Sequence, residues 1–446
     1  MTSKIEKKQK NNSQSIKKIN YKQNFILMIL GRLVSQLGTS IFSFALSLYV
    51  LDLTGSAGAF SMVLSFSIIP NVILNIFGGV FVDRNNKKKI IVGADILSGI
   101  FVLVFMSIFY LNDKNIIILI ICNMLLASIQ CIFNLAMNAS ISNIVKKEQV
   151  PKLNSVFTAT GSIINIIGPI LGAIAYTVLG MNVIFWLNSI SFILSGISEL
   201  FITFIQKKNS GEVSTIEQNY LNDFKKILIY LKKAKTVRFL LIFNSTILLI
   251  FSPMWAVVVP YITYNVINVS EIQLSIVKGS LAAGAVIGSV IISYISAETT
   301  TKLLKRIFTL VSIQAVFIIL LVIPNLFLDY DPSKWITTLA FSLLLSVNGV
   351  ITVVCAVPLN SYFQITVPEG LRGKFFGVMS TTTSLAAVVG MWIYGAFLET
   401  MDWYKIIVFS GVIVLTAMLY LIHNQQSDEL ELKYQEQEIE SQGGLL

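Results

Sequence analysis

The chain has 446 residues, of which 55% are hydrophobic and 13% are charged, and its mean hydropathy is +0.77. Soluble domains carry about 25% charged residues, so this composition excludes a soluble globular protein and indicates that most of the chain lies in lipid. The net charge of +10 does not indicate nucleic acid, because the basic residues lie in short loops and tails beside apolar runs. Lipid headgroups and membrane topology account better for them there.

Apolar runs long enough to cross a bilayer follow one another along the chain. A spanning helix needs about 20 mostly apolar residues, and twelve runs meet that length: 24–50, 57–82, 89–111, 115–138, 154–179, 182–206, 237–263, 273–296, 303–325, 336–361, 373–397 and 404–423. The sequence therefore predicts an all-α integral membrane protein. Its twelve transmembrane helices are expected to form two bundles of six.

Polar segments divide these spans into domains. The predicted order is a cytoplasmic N-terminal tail (1–22), a first six-helix bundle (23–206), a cytoplasmic linker (207–236), a second six-helix bundle (237–423) and an acidic cytoplasmic tail (424–446). Within the linker, apolar residues recur at helical spacing, which predicts an amphipathic surface helix; they are Tyr220, Leu221, Phe224, Ile227, Leu228 and Leu231.

Basic residues are distributed unevenly between the two sides of this map. The tails and alternate loops hold 28 of the 33 lysines and arginines, whereas the opposite loops hold only Lys114, Lys334 and Lys405. Positive residues in short loops stay on the cytoplasmic side, so both termini are expected inside the cell. The multi-pass chain is expected in a bacterial plasma membrane.

The connection between the second and third spans, residues 78–91, reads GGVFVDRNNKKKII. Gly79 ends an apolar run, Asp83 and Arg84 follow at the membrane boundary, and Lys87 and Lys88 precede the next run. A short loop this basic marks the cytoplasmic side. An Asp at a helix end can also accept hydrogen bonds from the N-terminus of a neighbouring helix. The alternative is a loop that serves topology alone.

Small residues recur in the fifth span. Gly161, Gly168 and Gly172 lie at helical spacing, which favours close helix packing, and Pro169 can bend the helix. Either packing alone or a role in alternating access accounts for them. A weak internal repeat, KKEQVPKLNSV at 146–156 and VPEGLRGKFFGV at 367–378, agrees with two related halves.

These motifs together resemble the major facilitator superfamily of secondary transporters over residues 24–423. Residues 79–88 are similar to its signature between spans two and three, with Asn86 in place of a glycine. The fifth-span motif resembles that of its drug antiporters, and residues 31–42 and 188–196 resemble its macrolide-efflux branch. The resemblance implies that Asp83 and Arg84 form a cytoplasmic latch between the bundles. In the second half the counterpart of Asp83 is missing, although Lys302, Lys305 and Arg306 remain.

Four charged residues lie more than one turn inside predicted spans, where a charge is costly and therefore marks function; they are Arg32, Asp95, Glu199 and Lys278. One hypothesis is a structural ion pair of Arg32 with Asp95 or Glu199. The other makes one of the two carboxylates a proton carrier, because an acid shielded from water can load and release a proton as access alternates. Asp52, Glu271 and Glu298 are interpreted as solvated helix ends.

Several polar and aromatic residues in the spans are candidates for lining an apolar cavity suited to lipophilic compounds: Gln36, Asn71, Asn134, Asn138, Trp255, Tyr261, Asn348 and Asn360. Packing between helices or against lipid is an equal alternative for each. The expected partners are a small lipophilic substrate and membrane lipids, without nucleic acid, for a monomeric protein. No cofactor and no metal are expected, since the three cysteines lack metal-binding spacing; the proton motive force is the expected energy source.

The hypothesis that unites these features is a proton-driven efflux carrier for lipophilic drugs such as macrolides. A second transporter hypothesis is export of an endogenous metabolite, lipid or peptide. A membrane enzyme or a non-transporting sensor is a third. The enzyme is disfavoured because the sequence offers no nucleophile–base pair, metal cluster or phosphate-binding loop, and the sensor because no soluble domain is evident.

Overall fold

The computed structural model describes residues 21–111, 115–144, 150–203, 220–324 and 333–424. Within helices it leaves out the side chains of 21–22, 75–80, 83–84, 138, 141–144, 150–156, 158–159, 162, 165–166, 220–226, 297–298, 300–301, 369–370 and 373. The described part is helical and contains no β-strand. In lipid a helix satisfies all its backbone hydrogen bonds within one segment, which is why uninterrupted apolar runs take this form.

We number the helices in chain order. They are α1 (Tyr21–Thr54), α2 (Ala57–Arg84), α3 (Lys87–Leu111), α4 (Ile116–Ile144), α5 (Val150–Leu200), α6 (Tyr220–Lys233), α7 (Lys235–Pro253), α8 (Glu271–Ser293), α9 (Ala297–Lys305), α10 (Ile307–Ile319), α11 (Trp335–Thr366), α12 (Glu369–Thr400) and α13 (Trp403–His423). Helix α6 lies in the predicted linker, where Ile227 and Leu231 are buried and Leu228 is exposed.

In the described part of the chain, eleven helices are long and apolar enough to cross a membrane, and one of them is kinked and long enough for two crossings. Helix α5 is 51 residues long and reverses direction at Gly180, whose φ of 72° and ψ of 167° are non-helical. Only glycine adopts this backbone readily. We call the two arms α5a (150–179) and α5b (181–200). The prediction of an all-α protein with twelve transmembrane helices is therefore confirmed.

Two predicted boundaries were wrong. The sixth span was expected to run to residue 206, but helix α5b ends at Leu200. The ninth was expected as one helix over 303–325, but the chain forms the short helix α9 and then α10, with Arg306 between them. Both errors come from reading apolar length alone, because hydropathy does not show where the backbone leaves the helix.

The helices run alternately between two faces of the molecule. We call the face that contains Lys87, Lys88, Lys232 and Lys233 the lysine-rich face, and the opposite face, which contains Asp52, Gly55 and Glu399, the Asp52 face. At the Asp52 face the turn between α1 and α2 places Gly55 at φ 60°, and the Ser56 hydroxyl accepts a hydrogen bond from the Ala59 amide (3.0 Å). This cap satisfies one of the free amides at the start of α2.

Helix α7 continues beyond Pro253 with altered winding. Two π-helical turns, Met254–Val258 and Ile262–Val266, flank the short α-helical segment Val259–Tyr261. Proline removes a backbone donor and clashes with the preceding turn, and Pro253 and Pro260 lie next to these wide turns. The span therefore reaches Val266 rather than residue 263. The first π turn contains Trp255.

Glycines set the spacing between helices α8 and α11. A Cβ atom built on Gly284 would lie 2.0 Å from the Ser346 carbonyl oxygen, and one built on Gly349 would lie 2.2 Å from the Leu281 carbonyl oxygen. Both obstacles are backbone atoms, which cannot rotate away. The two helices thus approach each other as only small residues allow.

We predict that Gly284→Val destabilises the protein by about 2 kcal/mol or more, because the added side chain must push α11 away. The melting temperature of the detergent-solubilised protein should fall by about 2 °C or more. The matched control is Gly93→Val on α3, where a Cβ meets nothing within 4 Å. Equal melting temperatures for the two variants would contradict this packing.

Candidate functional site

Two carboxyl groups lie together inside the first six-helix half. Asp95 on α3 is 0% exposed and Glu199 on α5b is 1% exposed, and the two are close enough for their charges to interact. A Cβ built on Gly31 of α1 would lie 2.9 Å from Ser198 Oγ and 3.8 Å from Glu199 Cγ, so α1 packs closely against α5b beside the acid. The pair occupies the junction of α1, α3 and α5b, in the half of the bundle next to the lysine-rich face.

The polar neighbours of this carboxyl pair donate their hydrogen bonds elsewhere. The Ser195 hydroxyl lies beside both acids but donates to the Gly31 carbonyl (3.0 Å), and Gln130 lies beside Asp95 but donates to the Ser98 hydroxyl (2.9 Å). The carboxyl oxygens of Asp95 and Glu199 have no hydrogen-bond partner among the described residues. A buried ionised carboxylate without a partner is costly in free energy. The site therefore favours protonated carboxyl groups.

The predicted ion pair of Arg32 with one of these acids was wrong for this structure, in which no described salt bridge joins them. The Arg32 guanidinium lies 4.2 Å from the centre of the Phe157 ring on α5a. Glu199 is also one residue from the end of its helix rather than two turns inside it, because α5b ends at Leu200. At this end of the helix the last carbonyl groups carry a partial negative charge.

The lysines at the start of α3 bind backbone carbonyl groups of other helices in the first half. Lys88 Nζ donates to the carbonyl oxygens of Leu200 (2.7 Å) and Ile202 (2.8 Å), and Lys87 Nζ donates to that of Ala139 (3.4 Å). A cation at a helix C-terminus is favourable for the free carbonyls and the helix dipole. The predicted latch residues Gly79, Asp83 and Arg84 have side-chain environments outside the described part. The latch stays a prediction.

At the Asp52 face, side chains from opposite halves form hydrogen bonds. The Asp52 carboxylate accepts from the Tyr176 hydroxyl of its own half (2.5 Å) and from the Tyr264 hydroxyl of the other half (2.7 Å). Nearby, Asn265 donates to the Gly55 carbonyl (3.2 Å). Asp52 is exposed in the last turn of α1, as expected for a solvated helix end, and in addition it connects the two halves.

The second connection at this face is made by a helix terminus. Glu399, in the last turn of α12, accepts hydrogen bonds from the Ser56 hydroxyl (2.6 Å) and the Gly58 amide (2.9 Å) at the start of α2. This carboxylate lies at the N-terminus of the other half's helix, where the unsatisfied amides favour a negative charge. It therefore fastens α12 to α2.

Contacts between the halves continue below this face. Trp392 Nε1 donates to the Ser65 hydroxyl (2.7 Å), again joining α12 to α2. The Lys278 ammonium on α8 lies 4.7 Å from the centre of the Phe44 ring on α1, so this intramembrane cation sits between the halves. The structure therefore shows a state in which the Asp52 face is closed.

The fifth-span motif packs α5a against α1. A Cβ built on Gly168 would lie 2.0 Å from the Ser40 hydroxyl, and one on Gly172 would lie 3.0 Å from the Ile41 carbonyl oxygen. Pro169 lies inside the helix between them. Gly161 differs, because a Cβ there would meet nothing within 4 Å. The close approach is thus confined to the later part of the motif.

The second half contains a partly open cavity of about 580 Å³ between α7, α10, α11 and α12. Aromatic rings on α7 form one wall: Phe243, Phe251 and Trp255. The polar members of the lining come from four helices, and they are Asn244, Ser252, Gln314, Thr352, Asn360 and Thr383. No charged residue lines the cavity in the described part of the chain. Ligand cavities of this size, mostly apolar with a few polar groups, suit drug-sized molecules.

Trp255 and Asn360 are the members of the predicted cavity set that line this space. Asn348 is buried one turn from Thr352, Asn71 donates to the Ser67 carbonyl within its own helix, and Asn134 is exposed. Gln36 and Tyr261 are half-buried elsewhere, and the side chain of Asn138 lies outside the described residues.

Sequence reasoning missed Asp52, Glu399 and Gln314 as site residues. One signal was available for the first two. The loops on their side of the membrane contain few basic residues that could pair with an acid, so an acid beside a turn there must find its hydrogen-bond partners elsewhere. Gln314 carries no such signal, because a single glutamine in an apolar run does not show what it faces.

Comparisons with known proteins agree with this architecture. The sequence model described as Major Facilitator Superfamily matches residues 28–391. Macrolide efflux protein A of Streptococcus pyogenes is 24% identical over 428 residues, which cover 93% of this chain and 99% of that protein. The multidrug efflux pump Tap of Mycobacterium tuberculosis is 21% identical over 377 residues, covering 83% and 85%.

A solved structure shows the same fold. The crystal structure of a bacterial homologue of the iron transporter ferroportin, in its inward-facing state, superimposes with a TM-score of 0.66 at 13% identity. The match covers 89% of this chain and 98% of that one. At this identity the likeness concerns the fold alone.

We predict that Glu399→Ala loosens the Asp52 face, because it removes a carboxylate from the N-terminus of α2. Allowing for solvent screening of this exposed group, the loss is about 1 kcal/mol, or roughly a fivefold shift towards an open face. The measurement is the maleimide labelling rate of Ser61→Cys, a buried position on α2, in a detergent-solubilised background without other cysteines.

Asp402→Ala is the matched control for this experiment. Asp402 lies three residues away and pairs with Lys405 of its own half (2.7 Å); the hydrogen bond from Lys405 holds the pKa of Asp402 below its usual value. The control should label at the rate of the parent. Equal labelling rates for the Glu399 and Asp402 variants would refute a specific closing role for Glu399.

Proposed function

We propose that this chain, which belongs to the Major Facilitator Superfamily, exports lipophilic compounds such as macrolides by proton-coupled alternating access. The chain is a multi-pass membrane protein and a transporter by family. The proposal adds its cargo, its direction, its energy source and its place in a bacterial plasma membrane with both termini inside. The observation that carries the cargo is the full-length similarity to macrolide efflux protein A. The apolar cavity in the second half is consistent with it.

Proton coupling is proposed for the Asp95–Glu199 pair. The two acids are buried, and their carboxyl oxygens have no hydrogen-bond partner among the residues that the structure describes. Two neighbouring carboxyl groups commonly share one proton, because both cannot ionise cheaply in one site. Among the other charged groups on the packed elements, Arg32 faces Phe157 and Lys88 binds the end of α5b. These contacts direct both cations elsewhere, so the charge of the Asp95–Glu199 pair is free to change during the transport cycle.

The cargo is tested in a bacterium without its own drug pumps. Cells that express this chain should tolerate at least fourfold more erythromycin than cells with the empty vector and should accumulate less of it. An uncoupler should abolish the difference in accumulation. Unchanged erythromycin susceptibility together with resistance to another compound would refute the macrolide cargo and retain efflux.

We predict that Glu199→Gln and Asp95→Asn each abolish proton-driven efflux, because either change removes the shared proton. Erythromycin added to energised inverted vesicles should release protons from the lumen with the parent but not with these variants, as followed by a pH-sensitive dye. Glu271→Gln is the control, since this acid of the second half lies outside the pair. Proton release of parental size from both variants would exclude the pair as the carrier.

A further inference from the structure

We infer that the cargo binds in the cavity of about 580 Å³ inside the second half, apart from the titratable pair in the first, and that this site recognises the uncharged part of the cargo. The inference rests on the proposed function, because it assigns a binding site to that cargo. Its starting observation is positional: the described lining comes from α7, α10, α11 and α12, all in the second half.

One wall of the cavity is an aromatic surface beside a widened helical turn. Helix α7 passes the cavity where it widens into the π turn Met254–Val258, and this turn contains Trp255. Such turns recur at functional sites, because they displace side chains from the regular helical positions. The ring of Phe251 lies 6.4 Å from that of Trp255, so the two present a continuous aromatic surface. An aromatic surface of this kind favours apolar ring systems.

The polar groups of the cavity are neutral amides and hydroxyls. Gln314 Nε2 on α10 donates to the Thr352 hydroxyl on α11 (2.9 Å), which in turn donates to the Asn348 carbonyl (2.8 Å). These two hydrogen bonds fix the position of the Gln314 side chain, whose oxygen can still accept a hydrogen bond. Asn360 lies two turns further along α11. The described lining can therefore orient a ligand through hydrogen bonds, but it provides no counter-ion for a charged group.

The absence of charge from the described lining decides which part of a ligand fits. A cationic or anionic group inside this cavity would lose its hydration without gaining an opposite charge, which is costly. A lactone ring with hydroxyl and carbonyl groups gains apolar contact and keeps its hydrogen bonds. The predicted ligand is therefore an uncharged amphipathic macrocycle, and any basic sugar attached to it stays outside the cavity.

The chain contains a reporter for this site. Cys355 lines the cavity and is half-buried, whereas Cys122 and Cys131 are buried in the first half. With Cys122→Ala and Cys131→Ala, maleimide labelling reports on the cavity alone. Saturating erythromycin should slow the labelling of Cys355 at least tenfold. The sugar-free lactone of erythromycin should protect to a similar extent, with half-maximal concentrations within about tenfold of each other.

Two variants test specificity. Trp255→Ala should raise the half-protecting concentration about tenfold or more by removing the aromatic wall. Trp335→Ala should leave it unchanged, because this tryptophan is 46% exposed at the start of α11 and does not line the cavity. Equal effects of the two substitutions would contradict the assignment, as would protection by erythromycin but not by its sugar-free lactone.

Direct binding of radiolabelled erythromycin to the same protein separates the possible failures. Binding without protection of Cys355 overturns the cavity assignment and leaves the proposed function intact. No binding at all overturns both. A Cys355 that is unreactive in the ligand-free protein also counts against an accessible cavity, provided that the denatured protein is labelled fully.

Discussion

The closed Asp52 face depends on polar contacts between the two halves, among them the carboxylate of Glu399 at the N-terminus of α2. Helix α12 packs along α2 and helix α8 along α5, so these two helix pairs join the halves. Along the first pair, the strongest chemical tie is an anion that accepts from the Ser56 hydroxyl and the Gly58 amide. Its strength comes from charge and from the alignment of free amides. A rotation of the halves that separates α12 from α2 at this face must break it.

The same two helices meet the opposite face with their roles exchanged. At the lysine-rich face α2 ends with Asp83 and Arg84, and α12 begins at Glu369. The predicted latch would place an acid of α2 at the N-terminus of α12, just as Glu399 places an acid of α12 at the N-terminus of α2. Helices α2 and α12 would then be fastened at one end or the other, which is the geometry that alternating access requires.

The sequence predicted the helices well, because membrane solvation leaves so few alternatives. Twelve spans follow from apolar length, and only the reversal at Gly180 joins two of them into one long helix. The ends were less predictable, as the early termination at Leu200 shows. The charged candidates Asp95 and Glu199 were found because a buried acid is conspicuous in an apolar run. Their mutual approach was not predictable, since it depends on how α3 packs against α5b.

Side-chain contacts between residues far apart in the sequence could not be predicted from the sequence. Asp52 and Tyr264 are 212 residues apart, and no periodic pattern connects them. Trp255 and Asn360 were candidates by residue type, whereas Gln314 was not, although all three line one cavity. Residue type and depth select candidates for a cavity, but the contacts of helices α7, α10 and α11 decide which of them face it.

If the proton and the cargo bind at separate sites, as proposed, the two must be coupled indirectly. Neither can displace the other directly, so each must act on the equilibrium between the two open states. Moving that equilibrium from 1:99 to 99:1 requires about 5.5 kcal/mol. The exposed tie at Glu399 supplies only about 1 kcal/mol. An uncompensated buried charge is worth several kcal/mol, so ionisation of the Asp95–Glu199 pair is the larger driving term, and the ties at the Asp52 face adjust the balance.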